Sequence, residues 1–342
     1  MRAIVTLDFQ SRETRETLSV VITTKNSAKT IGKTLSSITP YIKMGCVNEI
    51  IVVDSRSTDE TVQISQSHGA RIIVEDAPPG KSLRTRWMLR NYASFFHACN
   101  LGWKSARGDL VMFIDSDAFV GSDFCPRVND FFYDASIGIL GCHAKAITRN
   151  HLSKTIGEMW DYHARFLRRN MSGIGKSSLF SRIYKFFVWG RADMRDLYTS
   201  GPCYVARKSS LLAVEGLDLT GDIGVSEKIV RAGWRSKWWV DAPVLHIAKS
   251  TFPQLIRERL LWGYMTPLFH DGRATTLLRT LSAAIIAPLG GLVLYHSTRN
   301  WRHILVQQVI HTSVLVGAFY GFISCVGWRK LGLAQIEEWI AC

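Results

Sequence analysis

Leu110-Val111-Met112-Phe113-Ile114-Asp115-Ser116-Asp117 is the stretch on which the reading of this chain turns. Five consecutive apolar residues form a short buried strand. Carboxylates at the carboxyl end of such a strand stand at the mouth of the sheet, where open α/β folds bind their ligands. With one residue between them, both can face a hard divalent cation that bridges to phosphate oxygens. The tripeptide alone is common by chance, so its weight comes from its position and its company.

Upstream, strand and helix signals alternate. Leu18 to Thr23 reads as a strand and Ala28 to Ile38 as a helix. Val47 to Val53 is a β-branched strand ending in Asp54. Thr58 to Ser67 has helical character, with Ser57 as its N-cap. Ala70 to Val74 is a short strand, Pro78-Pro79-Gly80 breaks the chain, and Lys81 to Ala106 is helical in pieces. Downstream, Ile137 to Ile147 reads as a strand and Leu152 to Arg169 as an amphipathic helix. Asn170 to Asp196 is polar, basic and glycine-containing, a loop region. Cys203 to Ala206 and Ser236 to Val240 are short strands flanking a helix over Val225 to Ala232. Alternation at this spacing predicts an α/β fold with a doubly wound, parallel-dominated sheet.

The chain has 342 residues and a formal charge of +14, a balance suited to an anionic partner: nucleic acid, a membrane surface or a phosphorylated substrate. No nucleic-acid-binding signature is present, so nucleic acid is not an expected partner. Seven scattered cysteines without a C-x-x-C pair read as reduced thiols of a cytosolic compartment. The N-terminal stretch Met1 to Thr17 is polar and has no signal-peptide pattern. Near the other end, Leu281 to Tyr295 and Ile304 to Gly327 carry no charge. The second is long enough to cross a bilayer and the first somewhat short. Arg273, Arg279, Arg299, Arg302, Arg329 and Lys330 flank them. A pair of buried core helices is the alternative reading. The basic linker between the two stretches favours the cytoplasmic side, but so does the basic segment after Gly327.

The segments Leu18–Asn26, Ile50–Asp59, Asn100–Asp117 and Gly216–Trp234, in that order, resemble family 2 glycosyltransferases. Leu18-Ser-Val-Val-Ile-Thr-Thr-Lys-Asn26 is similar to the family's opening strand, and Ile50-Ile-Val-Val-Asp-Ser-Arg-Ser-Thr-Asp59 to its second strand and acidic turn. Asn100-x-Gly102-x-x-x-Ala106-x-Gly108-Asp109 leads into Phe113-Ile-Asp-Ser-Asp117 with the family's spacing. Gly216-Leu-Asp218 and Gly221-Asp222, followed by Arg231-Ala-Gly-Trp234, resemble its acceptor-side acidic motif. The resemblance covers about residues 18 to 250 and implies a GT-A fold that binds a nucleoside diphosphate sugar.

It also implies site residues. Asp54 would meet the nucleobase, or else is a turn or capping aspartate. Thr23 and Lys25 would line the same pocket, and Asp76 would reach the base or only shape its turn. Asp115, with Ser116 between, would lie nearer the ribose and Asp117 would ligate Mn²⁺ or Mg²⁺ most directly. His246 would complete the metal site, or is a structural histidine. Asp222 would be the general base, with Asp218 in reserve, or else the N-cap of the Val225 helix. If the acceptor is a lipid phosphate, already nucleophilic, Asp222 would orient rather than deprotonate. Lys81, Arg84 and Arg86 would reach the diphosphate or an anionic acceptor, or form a solvated basic face. Ser200-Gly201 would leave room for the sugar ring. Arg257, Arg259 and Trp262 mark a basic, aromatic helix at headgroup depth. Gly221 and Gly224 replace acids that the family pattern usually carries, a departure on the acceptor side.

Two other patterns fail. Gly173-Ile-Gly175-Lys176-Ser177 lacks the first glycine and the preceding strand of a P-loop. Phe119 stands where haloacid-dehalogenase-type phosphatases place a small β-branched residue. The sequence therefore divides into a nucleotide-sugar-binding catalytic domain (1–250), an amphipathic interfacial connection (251–272) and a membrane-associated helical region (273–342). The expected activity is metal-dependent, inverting transfer of a hexosyl group to a lipid-linked or other membrane-proximal acceptor, with the catalytic domain facing the cytoplasm. A nucleotidyltransferase and a non-catalytic nucleotide-sugar-binding protein anchored in the membrane are the competing readings.

Overall fold

The structure, a computed structural model, describes residues 16–75, 87–171, 201–217, 221–269 and 273–328. The first unit runs β1 (Leu18–Thr24), α1 (Ile31–Lys43), β2 (Val47–Asp54), α2 (Thr61–Ser67) and β3 (Arg71–Val74). Next come α3 (Trp87–Ser105), β4 (Leu110–Ile114), β5 (Ala118–Val120), α4 (Phe124–Phe132), β6 (Ile137–Ile147) and α5 (His151–Met171). The chain continues through β7 (Cys203–Arg207), α6 (Lys208–Ala213), α7 (Gly221–Arg231) and β8 (Arg235–Ile247). Three long helices follow: α8 (Phe252–Phe269), α9 (Arg273–Thr298) and α10 (Arg302–Trp328).

All eight strands of the described residues form one sheet in the order β3-β2-β1-β4-β7-β6-β8-β5. The first four are parallel, as the strand–helix alternation requires. Beyond β4 the sheet is mixed: β7 runs antiparallel to both β4 and β6, β5 antiparallel to β8, and β6 parallel to β8. The reversal matters for the site, because the carboxyl end of β4 and the start of β7 meet at the same edge. Apolar side chains bury on both faces. Val20, Ile22, Ile50, Leu110 and Met112 belong to a cluster that includes α1 and α4, and Val21, Ile51, Val111 and Phe113 to one that includes α3 and α7.

Several element boundaries differ from the sequence expectation, each for a local reason. Helix α1 begins at Ile31 rather than Ala28, because Ser27 and Ala28 donate their N–H groups to Thr61 Oγ1 (2.8 Å) and Asp59 Oδ2 (3.1 Å) across the sheet edge. Helix α2 starts at Thr61, so Ser57 is not its N-cap; its N–H and hydroxyl both turn back to Asp54. Helix α7 begins at Gly221, four residues before the expected start. Strand β8 does not stop at Val240. It continues to Ile247 through a shift in its register against β6 between Cys142 and Ala144, and Pro243 sits in that irregularity, where a strand tolerates proline.

The Asn100-to-Asp109 motif proves to be architectural. A Cβ at Gly102 would stand 2.3 Å from Val21 Cγ1, so glycine lets α3 lie against β1. The buried Asn100 amide donates to Leu217 O (2.7 Å), and its Oδ1 accepts from Leu217 N (3.0 Å) and Trp103 Nε1 (2.8 Å). One side chain thus fixes the chain just ahead of α7.

The three C-terminal helices form a bundle. Gln308 Nε2 lies 3.3 Å from Ala284 O, and Gly291 faces Ile304, so α9 and α10 are an antiparallel hairpin. Helix α8 runs parallel to α10: Leu255 shares a cluster with Val306 and Ile310, and Gly263 and Tyr264 meet Val314 to Gly321. A Cβ at Gly263, Gly317 or Gly321 would stand 2.0–2.2 Å from a carbonyl oxygen of the facing helix, so the backbones touch along a small-residue seam. The sequence expectation was an interfacial connection over 251–272; in the structure α8 is a leg of this bundle. Two windows, Thr280–Thr298 and Arg302–Phe322, are long and apolar enough to cross a membrane.

Candidate active site

The site assembles where β4 ends. The turn Asp115-Ser116-Asp117 is pinned from every side. Asp115 N donates to Pro202 O (2.8 Å), which follows from the antiparallel β4–β7 pairing. Ala118 N donates to Asp115 O (3.0 Å), Thr34 Oγ1 on α1 donates to Ser116 O (3.0 Å), and the Ser116 and Ser27 hydroxyls share a hydrogen bond (2.9 Å). Strand β5 then pairs with the end of β8 with Ala118 opposite His246. This pairing carries the imidazole 129 positions along the chain to the aspartates: His246 Nε2 lies 3.1 Å from Asp117 Oδ1 and 3.9 Å from Asp115 Oδ2.

Asp115, Asp117 and His246 each offer a ligand atom within 4.8 Å of the others, the one such group among the described residues. Two carboxylate oxygens and an imidazole nitrogen make a donor set suited to Mn²⁺ or Mg²⁺. The electrostatics fit a cation. Burial raises Asp115 to about 7; His246 and Lys249 oppose the rise, while Asp117 and Asp222 reinforce it. At Asp117 burial also works against ionisation. The hydrogen bond from His246, its charge and that of Lys249 prevail and hold the group below the usual carboxylate range. The Asp115 carboxylate is thus crowded by protein, yet 42% of its side-chain surface still meets solvent, so it lies in a recess open to an incoming cation.

Asp222 sits in the first turn of α7, where the helix dipole favours a carboxylate. Its Oδ2 accepts from Gly201 N (3.2 Å), one residue from the Pro202 carbonyl that holds Asp115. Gly201 has φ +130°, a conformation that side-chain-bearing residues rarely adopt. Burial raises the Cys99 thiol and the Tyr204 phenol, and the charges of Asp222 and Asp115 push both up further.

At the end of β2, Asp54 is 2% exposed, and its oxygens accept from Ser57 N (2.8 Å) and Ser57 Oγ (2.5 Å). In this structure its carboxylate is engaged by the turn. Thr23 is half-buried against Cys99, and Lys25 is exposed beside it. Asp76, Lys81, Arg84, Arg86, Ser200, Asp218 and the Gly173-to-Ser177 pattern lie outside the described residues, as does all but the first two residues of the expected 170–196 loop. Arg259 stacks on Trp262 at 5.1 Å and contacts Glu258 at 3.2 Å, which also pairs with Lys249 at 3.7 Å.

Three features escaped the sequence reading. Asn26, with φ 51°, accepts from Thr58 N (2.8 Å) and donates its own N–H to Ser57 Oγ (2.8 Å), clasping the β1 and β2 loops together. Trp160 of α5 lies flat on His246, ring centroids 5.4 Å apart and planes 7° apart. Lys249, three residues past His246, bears on both aspartates. The last carried a signal, a cation at a fixed offset from the histidine; the first two arise only on folding.

Comparison with known proteins bears on the fold and the family. Residues 19–188 match the model of Glycosyl transferase family 2. Among curated proteins, the chain is 33% identical over 114 residues to the glucosyl-3-phosphoglycerate synthase of Mycolicibacterium paratuberculosis, covering 32% of this chain and 31% of that protein. It is 29% identical over 147 residues to the 4,4'-diaponeurosporenoate glycosyltransferase of Staphylococcus aureus, covering 42% and 35% respectively. The chain thus spans about a third of the length of these curated relatives. Among solved structures, a mannosyltransferase from Pyrobaculum calidifontis in complex with GDP-Man and Mn²⁺ covers 90% of this chain and 88% of its own, with TM-score 0.56 and 16% identity, a likeness of fold. The sheet is therefore of GT-A type, and the segment 19–188 belongs to glycosyl transferase family 2.

Proposed function

We propose that this chain is a metal-dependent, inverting hexosyltransferase. It takes a nucleoside diphosphate sugar and delivers the sugar to a lipid-linked acceptor of the polyprenyl or dolichyl phosphate type, or to another membrane-proximal acceptor. The observation that carries the reading is the convergence of Asp115, Asp117 and His246 at the end of β4, with Asp222 beyond Gly201. Asp115, Asp117 and His246 would hold Mn²⁺ or Mg²⁺, which when bound supplies Lewis-acid neutralisation of the departing diphosphate. Thr23, Lys25, Asp54 and Ser116 would line or shape the donor pocket, and Asp76 and Lys81, outside the described residues, are assigned to it by the sequence resemblance alone. Gly201 leaves space for the ring, and the Asn26 clasp keeps the two nucleoside-side loops in register.

Asp222, held by Gly201 N one residue from the carbonyl that fixes Asp115, would meet the acceptor as it approaches the sugar. For a hydroxyl acceptor it takes the proton as the oxygen attacks the anomeric carbon from the side away from the diphosphate. For a phosphate acceptor no proton has to leave, and Asp222 orients the incoming group.

The bundle supports the acceptor half of the reading. Only 28% and 39% of its two apolar windows are buried, whereas a soluble core helix would be mostly buried. Leu278, Ile285, Leu289, Val316 and Phe319 are exposed on its surface. The α9–α10 turn lies beside α5, so Arg299 and Arg302 are on the catalytic side, with Trp301 exposed and 5.3 Å from the Arg302 guanidinium. Arginine and tryptophan at that level match an interface belt and favour a catalytic domain on the cytoplasmic face.

The test is thermal shift with Mn²⁺ against a panel of nucleotide sugars, followed by diphosphate release with polyprenyl phosphate in vesicles. A donor at 100 times its Kd stabilises by about 2.7 kcal/mol. The reading fails if no nucleotide sugar shifts the melting temperature and Asp117→Ala changes neither assay.

A further inference from the structure

A metal-ligating histidine is ordinarily oriented by a hydrogen bond at its second ring nitrogen. His246 lacks one. Its Nε2 faces Asp117, while its Nδ1 is buried with no hydrogen-bond partner. The orientation of the ring must therefore come from packing, and the group in position is Trp160, whose indole lies 7° from parallel at 5.4 Å in an offset stack.

Trp160 is in turn held from the C-terminal bundle. Its two preceding neighbours on α5 bond to the α9–α10 turn and to the first two turns of α10. Glu158 Oε2 accepts from Asn300 Nδ2 at 2.7 Å and lies 3.1 Å from Nε2 of the fully buried His303. Met159 S accepts from Gln307 Nε2 at 2.9 Å. Beneath these contacts, Leu152 and Ile156 of α5, Ala248, Leu255 of α8, and Val306 and Ile310 of α10 form one small apolar core, against which Met159 and Trp160 pack. Ala248 is two residues from His246. Three consecutive residues of one helix thus connect the bundle to the imidazole.

We propose that Trp160 is a positioning residue for His246, and that Glu158-Met159-Trp160 is a strut through which the α9–α10 hairpin sets the readiness of the metal site. The inference rests on the reading of Asp115, Asp117 and His246 as cation ligands. Apolar volume at position 160 is then not sufficient; a flat ring is needed. Loosening the Glu158 contacts reaches the metal site although Glu158 itself touches none of its three residues.

The experiment is titration of the full-length protein in detergent with Mn²⁺ alone, reading free Mn²⁺ by electron paramagnetic resonance, with melting temperature measured in parallel. Trp160→Leu, which fills space without a ring face, should weaken Mn²⁺ binding roughly 10-fold, the lower end of the effect of removing a partner of a metal ligand. Trp160→Phe should restore most of it. Glu158→Ala should weaken binding in the same direction by a smaller factor with Trp160 in place, and Glu158→Gln, which keeps an acceptor, should recover it. Equal affinity in the leucine and phenylalanine variants overturns the positioning role. A Glu158→Ala protein that melts earlier but binds Mn²⁺ as wild type does overturns the strut. Asp117→Ala separates the two levels: if it abolishes binding while Trp160→Leu does not weaken it, only this inference fails. If it binds Mn²⁺ normally, the cation site itself is wrong.

Discussion

Gly317→Ala and Gly290→Ala are the same chemical change in neighbouring helices, and the structure assigns them opposite signs. A Cβ at Gly317 would lie 2.1 Å from Leu260 O, 2.8 Å from Tyr264 N and 2.9 Å from Leu260 C, all backbone atoms of α8. None can rotate aside, so α8 and α10 must part by about 1 Å. A gap of that size forfeits a quarter to a half of each dispersion contact along the seam. The cost falls in the range for overpacking, about 1–3 kcal/mol. At Gly290 on α9 no heavy atom lies within 4 Å of the added methyl. That variant only sheds the glycine penalty of a helix interior, a gain of roughly 0.5–1 kcal/mol. At roughly 2–4 °C per kcal/mol, Gly317→Ala should melt about 2–12 °C below wild type and Gly290→Ala up to about 4 °C above it. The assay is apparent melting temperature in one detergent at one scan rate, which holds kinetic effects constant. Shifts of the same sign, or a neutral Gly317→Ala, would refute the close parallel packing of α8 on α10.

Three more predictions concern the site. Because burial raises Asp115 to about 7, proton and cation compete there: Mn²⁺ affinity should fall as pH drops below about 7, by up to about tenfold per unit, and Asp115→Asn should flatten that profile in a titration series. The sign for stability is the opposite. A folded pKa raised above the ordinary carboxylate value of 3.8 means that the metal-free fold loses stability as pH rises from about 4 through 7, measurable as a falling melting temperature in chelator. Asp222→Asn should lower transfer to a hydroxyl acceptor by roughly 10²–10⁴ while nucleotide-sugar thermal shifts persist, and should cost far less with a phosphate acceptor; equal loss with both would contradict the base role. Asn100→Ala removes three buried hydrogen bonds and strands the Leu217 backbone, so denaturant titration should show a loss of about 2–4 kcal/mol.

The parallel half of the fold was legible because its strands are short apolar runs with turn residues at each end, and Asp115-Ser116-Asp117 announced itself by following one. The helix starts failed at caps, and the end of β8 at an irregularity in its pairing. The starts of α1 and α2 moved because Ser27, Ala28 and Ser57 found partners on neighbouring loops instead of in their own helices. The stack of Trp160 on His246 and the Asn26 clasp join residues far apart in sequence, and no local pattern encodes them. The α8–α10 seam did carry a signal: Gly317 and Gly321 are four residues apart in an apolar helix, the spacing of close helix pairs.

The antiparallel placement of β7 has a consequence for how acceptor range can change. Because β7 enters the sheet at the site end of β4, Gly201 meets Asp222 while its neighbour Pro202 lends the carbonyl that holds Asp115. Two adjacent residues thus tie the acid on α7 to the aspartate pair on β4. With φ at +130°, Gly201 has no ready replacement among side-chain-bearing residues. A change there would shift both acids together, so acceptor preference is better altered at positions that do not share this hinge.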